Sequence, residues 1–207
     1  MVIVMNILIT GFEPFDKEII NSSYEAVKLL PNRIENIDIT KLEVPVTYQN
    51  AAIVVLEELK NNKYDAVILV GQAGGRKDIT LEKVAINYIY AKISDNQGVS
   101  LNHQNIVDCG DDAYFTTLPI IRMSRVLNEN NIPASISFTA GAFVCNNLMY
   151  KILNYAKGSN LKVGFIHVPY CREQLINKEN IPFMELEDIK KGLEICVKEC
   201  LMEEDTI

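Results

Sequence analysis

Residues 66–76 read AVILVGQAGGR: an apolar run, 66–70, delivered into a glycine-rich turn, 71–76. An apolar run of this length that stops at glycine is the signature of a buried strand entering a loop. The pairing recurs along the chain, with further strand-like runs at 7–10, 37–44, 136–138 and 163–168. Between them, residues 24–30, 49–59, 120–128, 143–156 and 186–201 carry apolar side chains at helical spacing. Strands alternating with helices predict an α/β fold: an open, mostly parallel, twisted sheet with helices on both faces. A length of 207 residues suits one such domain, spanning residues 1–207.

One stretch departs from the pattern. Over 81–89, Glu82, Val84, Ile86 and Tyr88 share one face of an extended chain, while Leu81, Lys83, Ala85 and Asn87 share the other. This predicts an added antiparallel strand. Residues 94–112 are rich in Asn, Asp, Gly and Gln with little periodicity, and read as a long loop.

Nearly half the residues are apolar and about a quarter charged, enough for a large core. The net charge of −7, with no lysine or arginine run to offset it, argues against a protein that tracks nucleic-acid phosphates. The apolar start, MVIVMNILITGF, lacks a basic leader and runs into a turn, so neither an export signal nor a membrane partner is expected. Five cysteines, an odd number widely spread, fit free thiols in a reducing, cytoplasmic compartment. Asn21, Ser22 and Ser23 spell a glycosylation acceptor that such a compartment leaves unused.

In open α/β sheets ligands bind beyond the carboxyl ends of the strands. Four segments follow strands here: GFEPF at 11–15, GQAGGR at 71–76, SFTAGAFVC at 137–145 and HVPY at 167–170. Cys145 falls in the first turn of the helix that begins around Phe143. Unpaired N–H groups and the helix dipole there favour a thiolate, drawing the thiol from about 8.5 toward neutrality. Position alone leaves a buried packing cysteine as the alternative. His167 ends an apolar run stopped by Pro169 and should emerge at the sheet edge, where a base is needed; an imidazole satisfied by a backbone carbonyl is the other reading. Glu82, on an apolar strand face, needs a partner: a histidine N–H, or a salt bridge to Lys83 or Arg76.

GQAGGR lacks the lysine followed by Ser or Thr of a phosphate-binding loop, so a ligand-lining turn is the better account. Phe12, Phe15 and Phe143 either pack the core or wall a pocket. Cys196 and Cys200 lie one helical turn apart without further metal ligands beside them, and no metal or cofactor is expected.

Taken together, these segments resemble the pyroglutamyl peptidase I (pyrrolidone-carboxylate peptidase) family of cysteine peptidases, over residues 6–199. The glutamate signature is similar to residues 71–74 and 79–87, the cysteine signature to 137–146 followed by Tyr150, and the histidine segment to 165–170. The resemblance implies removal of an N-terminal pyroglutamyl residue from peptides through a thioester on Cys145. His167 is then the base and Glu82 its orienting acid. It places Phe12, Phe15, Phe143, Val144 and Ile93 around the pyroglutamyl ring, with a backbone contact from Gln72. It also implies a cofactor-free, cytosolic homo-oligomer, often a tetramer. Lys92 stands where relatives commonly carry an arginine, which keeps the charge but not the planar fork of donors. Two rivals remain: a phosphorylase-like transferase that binds phosphate at GQAGGR, and a silent peptide-binding module.

Overall fold

In the computed structural model, which describes residues 4–175 and 179–205, the apolar runs form the centre of a seven-stranded sheet. The chain's first three residues, residues 176–178 and the last two lie outside the described part. Strand β1 is Met5–Phe12, buried from Ile7 onward. It is followed by helix α1 (Ser22–Leu29), the short β2 (Arg33–Ile34), β3 (Ile37–Val44), α2 (Asn50–Asn61) and β4 (Ala66–Gln72). Next come four short strands, β5 (Ile79–Glu82), β6 (Val84–Ile86), β7 (Ile89–Tyr90) and β8 (Asn102–Gln104), then β9 (Ala113–Phe115) and α3 (Ile120–Glu129). The chain closes with β10 (Ala134–Ser137), α4 (Val144–Ala156), β11 (Lys162–Val168), a single 3-10 turn (Arg172–Gln174) and α5 (Leu186–Glu199).

The large sheet has the order β10, β5, β11, β4, β1, β3, β2. Alternation along its central strands divides the apolar side chains between two layers. Ile7 and Ile9, Ile68 and Val70, and Ile166 and Val168 face α1, α3 and α5. Leu8, Val67, Leu69, Val163 and Phe165 face α2 and α4. Each fully buried side chain of this kind contributes roughly 1.5–3 kcal/mol relative to exposure. The sheet is covered on both faces, as the alternation of elements requires.

The Asn-Ser-Ser stretch proves to be a helix cap. The Asn21 side chain accepts from Ser23 N at 3.1 Å, and the Ser23 hydroxyl takes the Phe12 N–H at 3.0 Å, fixing α1 against the end of β1. By contrast α4 has Phe143 as its N-cap residue and no side-chain cap, so its helix begins at Val144.

Two expectations need correction. The stretch 81–89 is not one strand. β5 pairs antiparallel with β11 and ends at Glu82; the chain then leaves the sheet, and Val84–Ile86 pairs with β9 in a separate two-stranded ladder. Glu82 is fully buried, whereas Ile86 is 39 % exposed, so the two never share a face. Also, β10 runs parallel to β5 and therefore opposite to β4 and β11. The segment 137–145 thus leaves its strand toward the other edge and reaches the site by way of a turn in which Gly141 takes φ +79.

The loop 94–112 is pinned at several points. Asn87 Oδ1 accepts from Ile106 N and Val107 N at 2.8 and 2.9 Å, Asp95 accepts from Tyr48 N, Gln97 N and Val99 N, and β8 pairs with β7.

Candidate active site

The register of the sheet assembles the site. In the β11–β5 ladder His167 lies opposite Thr80, and Glu82 opposite Phe165. All four side chains therefore project to the α4 face, and Glu82 is the diagonal neighbour of His167, a span suited to a long acidic side chain. His167 Nδ1 meets Glu82 Oε1 at 2.7 Å. On its other side His167 is paired with Gly71 of β4. A Cβ on Gly71 would stand 3.2 Å from Cys145 Sγ and 2.7 Å from the Phe165 ring. Gly71 leaves the space beside the imidazole that the sulfur at the start of α4 occupies.

The electrostatics follow from burial. His167 is 4 % exposed and Glu82 not at all. Burial pushes the imidazole below its ordinary 6.5, against the opposing pull of Glu82, so the ring is neutral at neutral pH and donates from Nδ1. Burial also pushes the Glu82 carboxyl up, but the hydrogen bond and charge of His167, with the hydrogen bond from Arg76, outweigh it, and its value falls below the usual 4.5. The Cys145 thiol goes the other way from the sequence expectation. Burial, aided by the Glu82 charge, pushes it up to about 12 despite the helix start and Arg76. The resting groups are therefore a neutral thiol and a neutral imidazole, charge states suited to proton transfer from sulfur to ring.

Cys145 opens on a cavity of about 140 Å³ whose walls are Phe12, Phe15, Val46 and Phe143, with Asn21 and Gln72 as polar lining. The Phe15 and Phe143 rings are 5.4 Å apart, and Tyr48 meets Phe143 edge-on at 5.3 Å. Phe12 and Phe165 continue the aromatic contacts to His167, whose ring is 4.7 Å from that of Phe165. The Gln72 side-chain oxygen is occupied by Ser22 N, Ser22 Oγ and Gln174 Nε2 at 3.0, 3.1 and 2.8 Å. Ser22 and Gln174 thus hold the Gln72 side chain against α1 and the turn after β11. Val144 is fully buried in the layer behind, and Ile93 is 52 % exposed and outside the cavity lining. His103, the other histidine, is held by the Tyr88 hydroxyl and the Tyr90 ring and lines no part of this cavity. Lys92 is exposed.

Some contributors were not singled out from the sequence. Asn21 and Val46 line the cavity. Asn146 bonds Ile86 N, Ile86 O and Tyr88 O, stitching the segment after Glu82 to the first turn of α4. Asn146 lies inside the cysteine signature, so its motif was visible although its task was not. Arg76 was weighed only as a rival partner for Glu82. Its Nη1 does bond Glu82 Oε1, at 2.6 Å, on the same oxygen that His167 uses.

A thiol, an imidazole and a buried carboxylate on one face of an α/β sheet, at the mouth of an apolar cavity, form the layout of a cysteine hydrolase. A family model described as pyroglutamyl peptidase matches residues 5–203, and the chain belongs to that family. It is 49 % identical over 199 residues to a pyrrolidone-carboxylate peptidase of Brachyspira hyodysenteriae, covering 95 % of this chain and 99 % of the relative. It is 48 % identical over 196 residues to one of Clostridium botulinum, covering 94 % and 92 %. Among solved structures, pyroglutamyl peptidase I of Bacillus amyloliquefaciens superposes with a TM-score of 0.94 at 39 % identity, covering 99 % of each chain. A pyrrolidone carboxyl peptidase of Thermococcus litoralis gives 0.92 at 34 %, again covering 99 % of each chain.

Proposed function

We propose that this chain, acting as one catalytic domain, hydrolyses the bond after an N-terminal pyroglutamyl residue of peptides, with Cys145 as nucleophile, His167 as general base and Glu82 as its orienting acid. The observation that carries the reading is the 2.7 Å contact of His167 with Glu82 on the face where Cys145 Sγ closes against Gly71.

Chemistry follows from the charge states. His167 takes the thiol proton as Sγ attacks the pyroglutamyl carbonyl, and Glu82 steadies the imidazolium that forms. The developing oxyanion meets the uncapped N–H groups of the first turn of α4. The imidazolium then gives its proton to the departing amine, leaving a thioester. Water, activated by His167, cleaves the thioester to free pyroglutamate and the thiol.

Substrate choice follows from the cavity. Phe12, Phe15, Val46 and Phe143 suit the neutral lactam ring, and the Gln72 backbone pairs with its polar edge. An unprocessed glutamine or glutamate terminus brings charge into an apolar space, and is excluded by desolvation. Val144 belongs to the buried layer against which Phe143 packs, and Ile93 is kept as a ring contact on the family resemblance alone, since it lies outside the cavity lining.

Among the described residues no helix is long and apolar enough to cross a membrane, and all five cysteines are free thiols. The free thiols support a cytoplasmic setting. The exposed aromatic side chains Phe115 and Phe138 support self-association, to the tetramer expected of the family. The transferase reading is disfavoured because Arg76 is turned onto Glu82 rather than held open for an anion. The assay that tests the function is amine release from a pyroglutamyl amide, with a prolyl amide as control. Turnover of the first alone is expected; tight binding without turnover would overturn the reading.

A further inference from the structure

We propose that Arg76 is a positioning residue for the thiol–imidazole pair, gripping the Glu82 carboxylate with one arm of its guanidinium and the turn that leads to the nucleophile helix with the other. The proposal rests on the assignment of Glu82, Cys145 and His167 made above.

Arg76 Nη1 lies 2.6 Å from Glu82 Oε1 and 2.5 Å from Thr80 Oγ1, while Nη2 donates to Thr139 O at 3.2 Å. Thr80 and Glu82 are held by the β5–β11 ladder, whereas Thr139 lies beyond the end of β10, so Arg76 links the sheet to the turn before α4. Glu82 ends its strand, and the chain leaves the sheet at the next residue. Thr139 belongs to the turn containing Gly141, whose φ of +79 reverses the chain before α4. Thr80 stands opposite His167 in the ladder. A planar guanidinium satisfies acceptors in two directions at fixed angles, so one side chain sets the distance between the acid that orients the base and the helix that carries the sulfur.

Charge adds a second consequence. Among the described residues, the titratable or charged groups around His167 are Glu82 from β5, Arg76 from the turn after β4, and Cys145 from α4, whose sulfur lies against Gly71, the β4 partner of His167. An unopposed buried carboxylate beside an imidazole would hold a proton on it. Arg76 opposes that tendency, working with burial to keep the ring a free base, and it draws the Cys145 thiol down against burial.

The test uses the full chain and two variants, Arg76→Gln and Arg76→Lys, assayed with a pyroglutamyl amide across pH alongside thermal unfolding. For Arg76→Gln, kcat should fall on the order of 10²-fold, as for a small misplacement of reacting groups. KM should stay within about threefold, because the cavity is untouched. The acid limb of kcat/KM should move to higher pH. Arg76→Lys keeps the charge without the fork, so its acid limb should stay at the wild-type position while kcat recovers only in part. Wild-type kcat and pH profile in Arg76→Gln would overturn the proposal. So would a loss in both variants that follows unfolding with the acid limb unmoved. An inactive wild type would instead overturn the functional assignment itself, and this proposal with it.

Discussion

Two helix termini in this protein carry thiols, fully buried at the end of α5 and partly exposed at the start of α4, and only the second is equipped to react. At the end of α5, Cys196 and Cys200 are fully buried among apolar side chains, with burial holding both thiols in the protonated form. At the start of α4, Cys145 is also held protonated by burial. The acidity of the thiol therefore does not distinguish the proposed nucleophile here. What distinguishes it is a neutral imidazole on the same sheet face, a carboxylate that fixes that ring, and a cavity from which a carbonyl can approach. A thiol pushed up this far needs its base at the moment of attack, and the base must be deprotonated to serve.

The comparison breaks most readily at the two sulfurs. Cys145→Ser should lower kcat on the order of 10⁴-fold or more, as removal of a nucleophile from a cooperating set does. Cys196→Ala should keep wild-type kcat/KM and lose about 1–2 kcal/mol of unfolding free energy, read from denaturant melts. Equal effects of the two substitutions on turnover would erase the distinction. Next in size, His167→Ala should cost about 10²–10⁴-fold in kcat, the range for losing a general base. Steady-state kinetics on the folded variant checks it. Gly71→Ala sharpens the point geometrically, because its Cβ would press on the Phe165 ring and crowd Cys145 Sγ. A loss on the order of 10²-fold in kcat is expected from that displacement. A fully active variant would mean that the sulfur does not depend on the glycine's space.

The smallest effect is the pH dependence. Because burial depresses His167 below 6.5, the acid limb of kcat/KM should have its midpoint below 6.5. The same depression ties stability to pH in a definite sense. The unfolded chain takes up the proton first, so the stability that His167 contributes is complete above the unfolded value of 6.5 and falls as pH drops toward the folded one. A limb centred above 7, or stability that rises on acidification through this window, would contradict a neutral buried base.

The central strands and the five long helices were legible because their apolar side chains recur at periods that only one backbone geometry satisfies; residues 37–44 match β3 in full. The short strands were not. The directions of β5 and β10 are set by pairing across the sheet rather than by local pattern, so a period-2 reading of 81–89 merged β5 with a strand of another ladder. Cys145, His167 and Glu82 were legible as residues in long signatures, but the sign of the thiol shift was not, since helix-start position is visible in a sequence and burial beside a carboxylate is not. For Glu82 the choice between a histidine and Arg76 was posed as an alternative. The structure uses both, because one carboxylate oxygen accepts from each.

The central claim is that Cys145, and not another of the five thiols, carries the pyroglutamyl group during turnover. Mass spectrometry of protein quenched in acid during turnover of a pyroglutamyl peptide tests it directly. The account predicts an added pyroglutamyl group on the fragment containing Cys145, absent from Cys145→Ser. Turnover that leaves Cys145 unmodified, with the group on another cysteine or on none, would contradict it.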